Sequence, residues 1–423
     1  MAPSPKPHCE FPNKGEAMNR SALRLPAAVV LLSLAGLIAT EISRAETSKT
    51  IEDYRLHMFD APFRSLANRT IELMFDTARV DYAKTQWILP KNIVDMDFSY
   101  EFNGVRHRAD DVLEDTDTDA LLVIKNGRIV CERYLNRADA TTHFNSYSMA
   151  KSFNSIMVGL ALADGHIASV LDPVVKYVPE LRGSGYDGTT IQNLLEMRSG
   201  VDWDDNFFAE GTTGRKAHLA AWVEASARYT DEGRNTTRAH PPGTTFNYNT
   251  MDAAVVGLVI ESAVKMPVSK YLSERLWKPA GMESYGFYVL DGPPGVGREF
   301  TGGGFNAVLR DYGRIGLMML DRGRANGRQI LPASYVAEST KPSTTSDTET
   351  KEPHLGYAYF WWPILNSQAF TALGGEGQFI YVDPASRTVV VKMSHGPVGP
   401  AAQANEQETL NFFAAVSRWE PPR

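Results

Sequence analysis

The chain of 423 residues is poor in groups that staple or ligate: it has two cysteines, Cys9 and Cys131, and nine scattered histidines. No H-E-x-x-H spacing occurs, so there is no zinc signature, and no residues read as ligands of a metal or cofactor. There is no basic block. Lysine and arginine total 43 against 50 acidic residues, for a net charge of −7, so a nucleic-acid partner has no electrostatic footprint. No G-x-S-x-G is present, which disfavours an α/β-hydrolase nucleophile elbow, and no fixed-period repeat is evident.

Long apolar runs are also scarce. Ala27 to Thr40 falls short of the roughly 20 apolar residues a membrane span needs. Arg20 and Arg24 precede it and Ser43-Arg44-Ala45, a small-x-small pattern, follows, so residues 1–45 read as a signal peptide cleaved after Ala45. An uncleaved anchor is the alternative. Met18-Asn19-Arg20 makes an orthodox signal-peptide start, whereas Pro3, Pro5, Glu10 and Glu16 do not, so Met18 is the expected true start. The expected location is periplasmic or secreted, with no stable membrane span after cleavage. Cleavage would leave Cys131 alone, unable to form an intramolecular disulfide, and its place in the run Ile129-Val130-Cys131 suits a buried small hydrophobe.

The hydrophobic content of 43% supports a large core. Ala120 to Ile124 and Ile129 to Tyr134 flank Asn126-Gly127, a hairpin signal. Helical patterns follow at Ser148 to Leu160, Ile191 to Met197, Ala217 to Ala227, Ala253 to Ser262 and Ala307 to Leu320. Strand patterns return at Gln378 to Val382 and Thr388 to Met393, and a helix over about Asn405 to Val416 closes the chain. This order predicts an α/β (α+β) fold: one antiparallel sheet built from both chain ends, flanked by helices, with a mostly helical lobe inserted. The expected organisation is an N-terminal extension at 46–114 that wraps the body, a catalytic domain from 115–185 and 291–423, and the lobe at 186–290.

Ser148-Met149-Ala150-Lys151 opens the first of these helices. Residues three apart share a helix face, so an amine at Lys151 can lie beside the Ser148 hydroxyl and take its proton. The positive end of the helix dipole would favour an oxyanion there. An N-cap serine with a solvated first-turn lysine fits the tetrapeptide equally well. A second copy, Ser262-Ala263-Val264-Lys265, falls just before Met266-Pro267 at a helix end, where the dipole polarity is wrong.

Two further segments could complete a site. Pro241-Pro242-Gly243 leads through a loop to Tyr248, just before a helix, where its phenol could reach a cleft or simply pack. Ala372-Leu373-Gly374-Gly375-Glu376-Gly377 enters a strand, and its glycines allow a backbone amide to approach an oxyanion, or merely a tight turn.

Together with Leu171-Asp172-Pro173, Leu194-Leu195-Glu196-Met197-Arg198-Ser199-Gly200-Val201-Asp202-Trp203 and Gly303-Gly304 followed by Arg310-Asp311-Tyr312, these pieces resemble the serine β-lactamase and penicillin-binding-protein superfamily. The likeness spans about residues 115–415 and is nearest to the class C-related esterases and nylon-oligomer (aminohexanoate-dimer) hydrolases. It implies that Ser148 is the acylated nucleophile, Lys151 its base and Tyr248 a proton shuttle. The amides of Ser148 and of a residue within Gly374 to Glu376, best Gly375, would bind the oxyanion. Asp202, Trp203, Phe207 and Phe208 would line the cleft from the lobe, or pack within it, and Gly374 would line it from the glycine cluster.

Departures from that pattern bear on substrate. Thr250 stands where lactamases carry the asparagine of Tyr-x-Asn, and neither Ala372-Leu373-Gly374 nor Leu373-Gly374-Gly375 supplies the cation of a Lys-Thr-Gly motif. In the nylon-oligomer branch a glutamate often stands at Asp205 and a tyrosine at Phe207. The expected activity is therefore an exported serine hydrolase that cleaves a small-molecule carboxylic ester or simple amide through an acyl-enzyme. The alternatives are a D-amino-peptide hydrolase or transpeptidase, a weak β-lactamase, and a non-catalytic binding module.

Overall fold

Asn126 and Gly127, both with positive φ (50° and 76°), close a hairpin between strands Thr118–Lys125 and Arg128–Tyr134. The left-handed conformation at both turn residues matches the twist of the flanking strands, which is why Asn-Gly is favoured there. In this computed structural model, which describes residues 48–292 and 296–422, the hairpin forms one edge of a six-stranded antiparallel sheet. The expected signal peptide, with Cys9, lies outside the described residues. No described helix is long and apolar enough to cross a membrane.

The sheet order runs Trp362–Pro363, Phe370–Gly374, Gln378–Asp383, Thr388–Ser394, Thr118–Lys125, Arg128–Tyr134. Strand Thr388–Ser394 joins the two ends of the chain, with Val390 opposite Val123 and Val391 opposite Leu122. Alternation at period two sends Leu122, Ile124, Ile380, Val389 and Val391 to one face, and Leu121, Val123, Phe379, Tyr381 and Val390 to the other. The first face packs on helix Leu309–Leu320, the second on helix Pro400–Arg418, through Phe412, Phe413 and Val416. Cys131 is fully buried on the second face, and burial pushes its thiol up to about 11.

A second, four-stranded sheet was not legible in the sequence. It orders Thr77–Val80, Gly286–Val289, Phe305–Val308 and His143–Asn145, all antiparallel. Its strands have three or four residues each, too short for a period-two pattern to stand out. Phe305–Val308 also shortens the helix expected from Ala307, which begins at Leu309. The helix expected over Ala217 to Ala227 is Thr213–His218 continued by a wide turn, Leu219–Val223, in which the Glu224 amide bonds Leu219 O at 2.8 Å. It stops there because Ala225 takes a positive φ of 48°. The last helix is longer than expected, Pro400–Arg418.

Candidate active site

Strand His143–Asn145 delivers the turn that carries Ser148. Asn145 pairs with Asn306, and the Ser146 amide bonds Phe305 O at 2.8 Å, so the chain leaves the small sheet at a fixed point. Tyr147 then adopts φ 45°, a left-handed conformation that costs a bulky residue about 1–3 kcal/mol and must be held by its surroundings. Ser148 caps helix Met149–Ala163. One turn on, Lys151 is 2% exposed, and its Nζ lies 2.8 Å from Ser148 Oγ, 3.1 Å from Thr250 Oγ1 and 2.7 Å from the carbonyl of Gly302.

Helix Thr250–Val264 brings the next groups. Asn249 caps it, accepting from the Met251 and Asp252 amides, so Thr250 is its first residue and has an amide to spare. Asp205 takes that amide on Oδ1 at 2.9 Å and the Thr250 hydroxyl on Oδ2 at 2.7 Å, while Trp203 Nε1 donates to Oδ1 at 2.8 Å. A carboxylate at a helix N-terminus is favoured by the dipole. Burial nonetheless raises the Asp205 pKa, opposed by Lys151 and these hydrogen bonds.

Burial lowers the Lys151 pKa to about 8, partly offset by Asp205. The donor count gives that value a meaning. Because Thr250 donates to Asp205, it can only accept from Lys151, as can the Gly302 carbonyl. A neutral Lys151 spends its two N–H bonds on these acceptors and turns its lone pair to the Ser148 hydroxyl. A protonated Lys151 turns its third N–H there instead.

Tyr248 comes off the Pro241-Pro242-Gly243 loop, held where the Asn247 amide bonds Met197 O at 2.8 Å. Its ring stacks on Trp362 at 5.7 Å between centroids and stands 5.0 Å from Lys151 Nζ. Burial raises its pKa, opposed by Ser148, so it is a neutral phenol at physiological pH.

Across the nucleophile, the hairpin between Phe370–Gly374 and Gln378–Asp383 turns through Gly375, Glu376 and Gly377. Gly374 sits against the Ser146 carbonyl and the Met149 amide, where no Cβ would fit, and Gly375 lies one residue further on, beside Tyr147. Among the described residues, the amides of Ser148 and Gly375 have no hydrogen-bond acceptor.

These groups open into a cavity of about 200 Å³ lined by Met58, Phe59, Phe75, Phe207, Trp222 and Phe300, with Tyr147, Ser148, Thr250, Gly375 and Glu376 at its reactive end. Among the described residues, no lysine or arginine lines it. His218 is there too, but burial lowers its pKa to about 4, so it is neutral. Glu376 is 2% exposed, and burial pushes its carboxyl up to about 7.

The geometry thus brings Ser148, Lys151, Tyr248 and Gly375 together and adds Phe207 and Phe208 to the cavity wall. Three expectations change. Asp202 is exposed and outside the cavity, its amide tied to Thr237 O at 2.9 Å. Trp203 is buried behind the wall and acts on Asp205 rather than facing the cavity. Gly374 is a packing contact under the nucleophile turn rather than part of the lining. Ser262 and Lys265 are exposed at a helix end, with the Ser262 hydroxyl donating to Tyr177 O.

Sequence reasoning noted Asp205 and Thr250 only as departures from a family pattern, without the hydrogen bonds that join them to Lys151, and missed Gly302, Trp222, Phe300 and the contribution of Met58, Phe59, Ile71 and Phe75 from the segment before residue 106. Aromatic residues in a polar, weakly patterned segment were the one available signal for the last group. Away from the cavity, His107, Asp115 and Glu408 gather three ligand-type side chains, but His107 Nδ1 pairs with Asp115 at 3.0 Å and Glu408 accepts from Tyr100 at 2.7 Å.

The Beta-lactamase family matches residues 106–411. The chain belongs to the β-lactamase family. That membership makes it a serine hydrolase of the amide and ester type. The 6-aminohexanoate-dimer hydrolase of Paenarthrobacter ureafaciens is 28% identical to this β-lactamase-family chain over 296 residues, 67% of the chain and 74% of the relative. Among solved structures, a candidate 6-aminohexanoate-dimer hydrolase from Bacillus anthracis has a TM-score of 0.76 at 23% identity, covering 85% of this chain and 95% of that one. EstCE1, a hydrolase with promiscuous acyltransferase activity, has a TM-score of 0.59 at 17% identity, with 73% and 96% covered. A class C β-lactamase has a TM-score of 0.51 at 17% identity, with 74% and 96% covered. At these identities the structures establish the fold, a mixed α/β architecture with antiparallel sheets.

Proposed function

We propose that the protein hydrolyses carboxylic esters of neutral, apolar acyl groups through an acyl-enzyme on Ser148. The observation that carries this reading is the 2.8 Å contact between the buried Lys151 Nζ and Ser148 Oγ, at the end of a cavity whose lining is aromatic and free of lysine and arginine. At a pKa of about 8, about a tenth of Lys151 is neutral at pH 7, enough to accept the serine proton. Ser148 attacks the acyl carbon, and the amides of Ser148 and Gly375 stabilise the tetrahedral oxyanion. Tyr248, a neutral phenol, protonates the departing alkoxide and is reprotonated from the Lys151 ammonium. Water then enters, gives a proton to Lys151 and attacks the acyl carbon, and Ser148 leaves as the hydroxyl.

The missing cation counts against anionic substrates. A β-lactam or a D-alanyl peptide brings a carboxylate, which here would meet a wall of aromatic rings and Glu376. Burying an unpaired charge in such surroundings costs several kcal/mol, more than the contacts would return. Simple amides form a second reading, supported by the names of the Paenarthrobacter and Bacillus relatives. A panel of p-nitrophenyl acyl esters, linear amides, D-Ala-D-Ala peptides and a chromogenic cephalosporin tests both readings. Esters with apolar acyl groups should give the highest kcat/KM; a preference for the cephalosporin or the D-peptide would overturn the proposal. We further propose export, with N-terminal sequencing expected to begin at Glu46.

A further inference from the structure

Glu376 and Tyr147 flank the two amides assigned to the oxyanion. Tyr147 directly precedes Ser148, and Glu376 directly follows Gly375. Both take left-handed backbone conformations, φ 45° and 62°, so neither amide is aimed by regular secondary structure. Something else must hold the two loops in register.

The side chains of these two residues meet. The Tyr147 hydroxyl lies 2.6 Å from Asn68 Oδ1 and 3.1 Å from Glu376 Oε1, and Asn68 Nδ2 donates to Glu376 Oε2 at 2.7 Å. Asn68 and Glu376 are each 2% exposed. Asn68 is itself fixed, since its carbonyl accepts from the Asn145 amide at 2.9 Å and its Nδ2 reaches Ser394 O at 3.3 Å. The Glu376 carbonyl accepts from the Gly396 amide at 3.0 Å.

With Glu376 protonated, the three side chains close a ring of hydrogen bonds. Tyr147 O–H donates to Asn68 Oδ1, Asn68 N–H donates to Glu376 Oε2, and a protonated Glu376 Oε1–H donates to the Tyr147 oxygen. Each group then gives one bond and takes one. Burial, which raises the Glu376 carboxyl, favours that protonated form, while the hydrogen bonds of Asn68 and Tyr147, then Arg64 on the preceding segment and His395 after strand Thr388–Ser394, oppose it.

We infer that Asn68, Tyr147 and Glu376 form a clasp that sets the spacing of the Ser148 and Gly375 amides, so that these three are positioning residues for the oxyanion. Asn68 lies before the family-matched region, which begins at residue 106, so the N-terminal extension completes the reactive end as well as the cavity wall. The inference rests on the acyl-enzyme reading of Ser148.

The test compares Tyr147→Phe, Glu376→Ala and Glu376→Gln with the parent protein, using a p-nitrophenyl ester of an apolar acid. The readouts are kcat per serine titrated by a fluorophosphonate, KM, and inhibition by phenylboronic acid, whose tetrahedral serine adduct carries an anionic oxygen. Tyr147→Phe and Glu376→Ala should lower kcat about tenfold or more, up to the roughly 10²–10³ of a lost oxyanion donor, with KM little changed and boronate affinity falling in step. Glu376→Gln can donate to Tyr147 and accept from Asn68, so it should keep most of kcat.

An unchanged kcat in Tyr147→Phe, a loss confined to KM, or a Gln variant as impaired as the Ala variant would overturn the clasp. If Glu376→Ala does not fold, Tyr147→Phe, which removes one oxygen, decides. Ser148→Ala separates the two claims: residual turnover there contradicts the acyl-enzyme reading, whereas an inactive Ser148→Ala beside normal clasp variants contradicts only the clasp.

Discussion

The Thr250 hydroxyl donates to Asp205 Oδ2 at 2.7 Å, and this one bond fixes how Lys151 can be used. With its proton committed, Thr250 is an acceptor for Lys151 at 3.1 Å, and the free lone pair of a neutral lysine is left for Ser148. Asp205 also raises the Lys151 pKa by its charge. Asp205→Asn should therefore lower kcat/KM and shift the rising limb of its pH profile to lower pH. An unshifted limb would mean that the carboxylate does not reach Lys151.

In the proposed mechanism, deprotonated Lys151 is the active form. Its pKa, lowered by burial to about 8, predicts that acylation rises with pH and levels off above that value. Lys151→Arg, whose guanidinium stays protonated, should abolish the rise along with the activity. Stopped-flow acylation across pH 6 to 10 measures both, and a flat profile in the parent would contradict the base assignment.

Tyr248 carries a proton that a poor leaving group needs and a good one does not. Tyr248→Phe should cost about 10²–10⁴ in kcat for alkyl esters, the usual range for a lost general acid, and far less for p-nitrophenyl esters, whose leaving phenolate is stable unprotonated. Equal losses on both substrates would point to a packing role, for which the stack on Trp362 offers a cause.

Gly374 packs under the turn that carries Ser148, behind the two amides proposed to bind the oxyanion. A Cβ there would run into the backbone carbonyl of Ser146, which cannot swing aside as a side chain could. Gly374→Ala should push the hairpin off the nucleophile turn and lower kcat by about 10²–10³, as for a lost oxyanion donor. Retained kcat with an unchanged melting temperature would show that the hairpin does not set the amides.

The central sheet was legible because its signals are local. Asn126-Gly127 dictates a hairpin, and Thr388-Val389-Val390-Val391 reads as a strand at any length of window. The small sheet was not legible, because Thr77–Val80, His143–Asn145, Gly286–Val289 and Phe305–Val308 are short and two of their three pairings join segments far apart in the chain, Thr77 with Val289 and His143 with Val308. The site divides the same way. Ser148 and Lys151 are a helix turn apart and could be paired from spacing alone. Asp205 is joined to Lys151 by hydrogen bonds through Thr250, and Asn68 reaches Glu376 across most of the chain, so no spacing rule could join them. Trp203 and Asp202 show the converse: their motif was visible, but which side chain faced inward depended on tertiary packing.

The account stands or falls on Ser148. Incubation with a fluorophosphonate followed by peptide mass spectrometry should place the adduct on Ser148, and Ser148→Ala should take up no label and turn over no ester. An adduct on Ser262 or any other residue, with Ser148→Ala still labelled, would contradict it.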